Sequence, residues 1–154
     1  MKKLVILILL LFLAVKPVLA SGYVLPYPGL LPDSPLYVFK VIRDQVVTWA
    51  IRDTEKKAFY LLLLSDKRLA AGEVLANNGK TVLGATTVAK SQDYFKQAVD
   101  LAEKLPKEKR ENLVIKLVVA GAKHKQVLTG LISKISIDDG SKLQDRVMEL
   151  YLQK

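Results

Sequence analysis

The chain has 154 residues, 51% hydrophobic and 25% charged, with 24 Lys/Arg against 15 Asp/Glu and a net charge of +9, which is material for one compact domain and little else. Cysteine is absent, which excludes disulfides, thiolate metal sites, iron–sulfur clusters and cysteine nucleophiles. The single histidine, His124, argues against multi-histidine metal sites and Ser-His-Asp chemistry, both of which need imidazoles at defined places.

The chain opens with Met1-Lys2-Lys3, an unbroken apolar run from Leu4 to Val15, and Lys16-Pro17-Val18-Leu19-Ala20 before Ser21. A basic start, a short apolar core and small side chains at Val18 and Ala20 predict a secretory signal peptide cleaved after Ala20. The alternative is an uncleaved anchor. Twelve apolar residues rise only about 18 Å as a helix, against a hydrocarbon core of about 30 Å. A lipoprotein would need a cysteine, which the chain lacks. Cleavage removes Lys2, Lys3 and Lys16, leaving 21 basic against 15 acidic residues and a net charge of +6. An exported domain without cysteine takes its stability from packing alone.

Residues 21–32 carry Pro26, Pro28 and Pro32 among Tyr23, Tyr27 and Gly29. Proline fixes φ and biases its predecessor away from helix, so this stretch predicts an extended lead that packs on the domain or meets a partner. A helical domain follows over 33–154. Asp33-Ser34-Pro35 reads as a helix start. The helix it opens runs to about Ile51, with Leu36, Phe39, Ile42, Val46, Trp49 and Ala50 recurring at three and four. Asp53 caps a second helix from Thr54 to about Asn77, which buries Ala58, Leu61, Leu62, Leu69 and Leu75 and ends at Asn78-Gly79.

The third helix has a weak start, because Gly84 and Thr86-Thr87 lower propensity; its period is clear from Val88 through Phe95, Ala98, Ala102 and Leu105. The fourth, from about Pro106 to Ile135, places Leu113, Leu117, Ala120, His124, Val127, Leu128, Leu131 and Ile135 on one stripe. A turn at 136–140 leads to a short fifth helix, Ser141 to Tyr151. Nothing alternates with period two and no repeat of fixed length is present, so the class is all-α. The architecture is an up-and-down bundle of four main helices plus a short C-terminal helix, preceded by the cleaved signal helix.

Gly79-Lys80-Thr81 imitates the end of a phosphate-binding loop, but the position that needs an earlier glycine is Val74 and a helix precedes it. Gly79 is therefore a left-handed helix terminator. His124 reads as a core histidine whose nitrogens find partners in the bundle, since no carboxylate lies four residues to either side. Asp138-Asp139-Gly140 lacks the ligand spacing of a calcium loop and reads as a turn. Asp66 and Glu73 are expected on a solvated face balanced by Lys67 and Arg68, which gives no paired-carboxylate chemistry. Catalytic residues, metal ligands and cofactors are therefore none.

Charge is unevenly spread. Residues 106–137 hold seven Lys/Arg and two Glu. Lys109, Lys116, Lys123 and Lys134 fall within about 40° of one another on the fourth helix. This stripe is the candidate site for an acidic protein, a wall polymer or an anionic membrane surface. Lysines beside an apolar face also occur simply as solvated, snorkelling side chains. Nucleic acid is not expected, because arginine and aromatic residues are not interleaved with the lysines.

Leu31-Pro32-Asp33-Ser34-Pro35-Leu36-Tyr37 with Lys40, and Asp53-Thr54-Glu55-Lys56-Lys57-Ala58 followed by Arg68-Leu69, resemble a bacterial family of exported helical proteins known as domain of unknown function five-six-six-seven. The likeness runs from Tyr23 to Leu105 and more loosely through His124 and Leu128. It departs at Ala71-Gly72, where the family pattern carries a glutamate. The resemblance implies an extracytoplasmic helical bundle and assigns no catalytic residue. The expected function is that of a secreted or cell-surface, non-enzymatic interaction module. It would use either the lysine stripe or the lead carrying Tyr23, Pro26, Tyr27 and Pro28. An alternative is a carrier of a small apolar ligand, suggested by the small residues Ala70, Ala71, Gly72, Gly84, Ala120 and Gly121. A hydrolase lacks a visible pair of nucleophile and base.

Overall fold

The computed structural model describes residues 22–133, which form an extended lead and four helices: α1 (Tyr37–Ala50), α2 (Thr54–Asn77), α3 (Thr81–Glu103) and α4 (Lys107–Ile132). The expected signal segment, Lys134, Ile135 and the fifth helix expected over 141–151 lie outside the described residues. Within them the protein is an all-α bundle.

Local chemistry sets most boundaries. The Asp53 carboxylate accepts from the backbone N–H of Lys56 at 2.8 Å, and Glu55 occupies the first turn of α2, where the helix dipole favours negative charge. At the other end Gly79 has φ of +79°, its N–H donates to Ala76 O, and Lys80 N–H donates to Leu75 O. These two bonds close a helix around a left-handed residue, as glycine does at least cost. The start of α1 differs from expectation. Asp33 turns its carboxylate to Lys80 Nζ at 2.6 Å, Ser34 Oγ makes only a 3.3 Å contact with Leu36 N–H, and the helix begins at Tyr37 with no side-chain cap. An ion pair that ties the lead to the α2–α3 turn has taken the group that would have capped.

The residue pairs Ala58/Ala98, Ser65/Ser91 and Gly72/Gly84 fix α3 antiparallel to α2. Leu113 and Leu117 share a cluster with Ala58, Leu61 and Leu62, and Val127, Leu128 and Leu131 share one with Leu69 and Ala76, which runs α4 parallel to α2 and antiparallel to α3, and Tyr37 against Arg68 sets α1 antiparallel to α2. One core cluster gathers Ala58, Leu61, Leu62, Ala98, Ala102, Leu113 and Leu117 near the α1–α2 junction. A second, at the opposite end, gathers Leu69, Val88, Val127, Leu128 and Leu131, with Leu25 of the lead laid on it. The expected stripes of α2 and α4 are buried throughout the described residues.

The weak propensity at the start of α3 is overridden by close packing. A Cβ on Gly72 would stand 2.8 Å from Gly84 O and collide with the Val88 side chain, and one on Gly84 would stand 2.8 Å from Gly72 O. The two glycines let α2 and α3 touch backbone to backbone, and α3 starts at Thr81, not Val88. The small side chains are used for approach, and Gly121 likewise receives the edge of Phe95 at 3.4 Å.

Two expectations about faces are corrected. Asp66 and Arg68 are buried, not solvated, because α1, α3, α4 and the lead cover most of α2 and leave only a narrow side, with Lys56 and Leu63, open to solvent. Conversely, the apolar stripe of α1 faces outward. Phe39 is 66% and Trp49 80% exposed, with Leu36, Val38, Ile42 and Val46 also open, while Asp44 on the opposite side is 2% exposed. Among the described residues α2 is the one helix that α1 packs on, and polar anchors tie α1 both to α2 and to the lead. Tyr37 accepts from Arg68, and Lys40 Nζ donates to the carbonyls of Pro28 and Leu30. Arg43 reaches back to Asp44 at 2.7 Å.

Candidate functional site

A buried chain of polar groups joins the lead, α2, α4 and α3. Tyr23 OH donates to Asp66 Oδ2 at 2.5 Å, Asp66 Oδ1 lies 2.8 Å from His124 Nε2, and His124 Nδ1 lies 3.1 Å from Gln92 Nε2. With the Gln92 amide donating to Nδ1, the imidazole presents its Nε2–H to the carboxylate, so a neutral ring satisfies every member of the chain. Phe95 covers the ring, the centroids 4.8 Å apart. Burial, and then the bond to Asp66, push the Tyr23 phenol above its ordinary range. His124 is 1% exposed and both nitrogens are engaged. The arrangement holds four elements in register and gives a substrate no way to reach the imidazole.

The open feature is a cleft of about 620 Å3 between α1 and α3, floored by α2. Arg68 lies at one end, 7% exposed. Its Nη1 donates to Tyr37 OH at 3.1 Å and its Nη2 to Tyr94 OH at 3.3 Å. The guanidinium sits 4.6 Å from the centre of the Tyr94 ring. Its Nε has no acceptor, and among the described residues no carboxylate pairs with it. Burial raises the Tyr37 phenol, with Arg68 opposing, so this hydroxyl stays protonated at neutral pH. Lys90 and Asp93 from α3 line the same region. Val41 and Trp49 of α1 carry the wall to Lys57, where a second hollow of about 710 Å3 continues past Trp49 towards Ile51 and Leu101. The cleft is thus mixed in character, with a cation and aromatic rings at each end and Val41, Gln45, Thr48 and Gln97 between them.

The sequence-predicted residues are dispersed. Tyr23 is engaged with Asp66, while Tyr27 is exposed. Pro26 is half-buried, and the carbonyl of Pro28 is bound by Lys40. Lys109 and Lys116 are exposed on α4, and Lys116 Nζ lies 4.9 Å from the centre of the Phe59 ring. Lys123 donates to Gln126 at 3.2 Å. None of them borders the α1–α3 cleft. The cleft residues Arg68, Tyr37, Tyr94 and Lys90 were not singled out as a group. The available signal was Arg68 within a helix apolar around most of its circumference, which leaves little of it to be wet.

The sequence model of a family described as Domain of unknown function (DUF5667) matches residues 29–138. The chain belongs to that family. The matched span takes in all four helices and the whole α1–α3 cleft, and begins at Gly29 within the lead. Among curated proteins and among solved structures nothing matches the chain.

Proposed function

We propose that the protein is an exported, non-enzymatic interaction module that docks on an anionic membrane surface through the outward face of α1. The observation that carries this is the inversion of that helix. Val38, Phe39, Ile42, Val46 and Trp49 fall within an arc of about 100° and all are exposed. Together they present on the order of 500 Å2 of apolar surface, at the upper end of what a monomer's largest patch carries. A stripe with the helical period of a buried face, ringed by aromatics, fits the boundary between headgroups and acyl chains.

Charge selects the sign of the lipid. Arg43 borders the stripe and Arg52 follows its end, both exposed, whereas Asp44 is buried beneath Arg43. The chain as a whole is strongly basic, and Lys109 and Lys116 offer further exposed cations on α4. No helix among the described residues is long and apolar enough to cross a membrane, so contact is made by a face and not by a span.

Co-sedimentation with vesicles tests the reading. Binding to phosphatidylglycerol vesicles is expected, with little to phosphatidylcholine, and it falls at least about tenfold in Phe39→Asp/Ile42→Asp, two exposed positions whose change spares the core. Binding that survives that double change, yet disappears in Lys109→Gln/Lys116→Gln/Lys123→Gln, would transfer the docking surface to α4. Intact mass of the protein isolated from its own cell envelope tests export, the expected species starting at Ser21.

A further inference from the structure

We infer that the α1–α3 cleft is a binding site for an amphiphilic organic phosphate, whose phosphate lies at the Arg68–Lys90 end and whose apolar stem runs along Val41 to Trp49. Three observations converge on it. Arg68 is a buried guanidinium held by two tyrosine hydroxyls, with an unpartnered Nε and no carboxylate in ion-pair contact among the described residues. A buried cation without a counter-charge is costly unless an anion completes it, and guanidinium is the side chain best matched to a phosphate's paired oxygens. The site is also shaped: Tyr37 and Tyr94 fix Arg68 from opposite helices, so the fork is pre-organised before any ligand arrives.

Charge and length then specify the ligand. Arg68, Lys90 and Lys57 line the cleft against one carboxylate, Asp93, an excess that suits a dianion. Arg68 and Lys57 are eleven residues apart on α2, so the cleft is about 16 Å long. A free phosphate would occupy one end only, whereas a chain of about eight carbons also reaches Val41 and Trp49, the apolar members of a wall that includes Gln45 and Thr48. The volume, about 620 Å3, lies in the range of small-molecule sites. This site is distinct from the outward stripe of α1, although Trp49 borders both.

Octyl phosphate is the probe, titrated by calorimetry into the full chain as isolated from its cells, with 1-octanol and inorganic phosphate as the two halves. The expected result is one octyl phosphate per chain, with each half binding at least about tenfold more weakly. Trp49 is the chain's single tryptophan. Its emission shifts to shorter wavelength with octyl phosphate and not with inorganic phosphate, because the stem reaches it. Arg68→Gln weakens binding at least about tenfold and Lys90→Gln several-fold. Lys90 is exposed, so that variant keeps the test valid if the buried change disturbs folding.

Absence of saturable binding, or equal binding by both variants, overturns the site. Competition by phosphatidate vesicles would make a lipid headgroup the source of the phosphate, and lack of competition a soluble phosphate; either keeps the cleft as the site. Octyl phosphate binding without vesicle binding would overturn the docking proposal and leave the cleft standing, and the reverse would overturn the cleft.

Discussion

Gly72→Ala should destabilise the protein although alanine is the better helix former. A methyl at this position stands 2.8 Å from the Gly84 carbonyl oxygen and collides with Val88. Rotating Val88 relieves only the second contact. The carbonyl belongs to the α3 backbone, so relief requires the two helices to move apart along the interface that also holds Ala58 against Ala98 and Ser65 against Ser91. Overpacking of this kind costs about 1–3 kcal/mol and more where backbone must shift, offset by about 1 kcal/mol of helix propensity. The net loss is about 1–3 kcal/mol, or roughly 4–12 °C in Tm for a chain of this size. Gly130→Ala provides the opposite sign: nothing lies within 4 Å of its Cβ position, so only the propensity gain, about 0.5 kcal/mol so near the helix end, remains. Urea unfolding followed by helical circular dichroism measures both. Gly72→Ala at or above wild-type stability would show that α2 and α3 do not meet backbone to backbone.

Three further outcomes follow from the same packing. Asp66→Ala leaves both Tyr23 OH and His124 Nε2 without an acceptor and should cost about 3–5 kcal/mol in chemical unfolding; a loss under about 1 kcal/mol would contradict the polar chain. Asp53→Ala should cost about 1 kcal/mol through loss of the α2 cap, whereas Ser34→Ala, whose oxygen makes only a 3.3 Å contact ahead of α1, should be close to neutral by the same assay. Burial and the bond to Asp66 raise the Tyr23 phenol. Its contribution is therefore complete below an ordinary tyrosine pKa of about 10 and is lost as pH rises beyond it. Thermal unfolding between pH 9 and pH 11 should fall less steeply in Tyr23→Phe than in the wild type, a residual fall remaining from Tyr37 and Tyr60, which burial also raises.

What the sequence determined by itself is the part that depends on neighbours along the chain. Helical period, the Asp53 cap, the Asn78-Gly79 stop and the buried stripe from Leu113 to Leu131 are local or one-dimensional signals, and the structure carries them all. The resemblance at Leu31–Lys40 and Asp53–Leu69 likewise placed the chain in its family. Tertiary structure decided everything that turns on which side of a helix is occupied. Periodicity shows that α1 has an apolar face, yet the polar anchors from Tyr37 and Lys40, with Asp44 buried on the same side, turned that face outward. Asp66 reads as a surface carboxylate until its partner His124 arrives from 58 residues away. Arg68 reads as a solvated cation until α1 and α3 close over it and present two phenols. A helix covered on most of its sides buries polar residues along with its leucines, and each such residue has to find its partners across the bundle, a pairing that spacing along one helix does not encode.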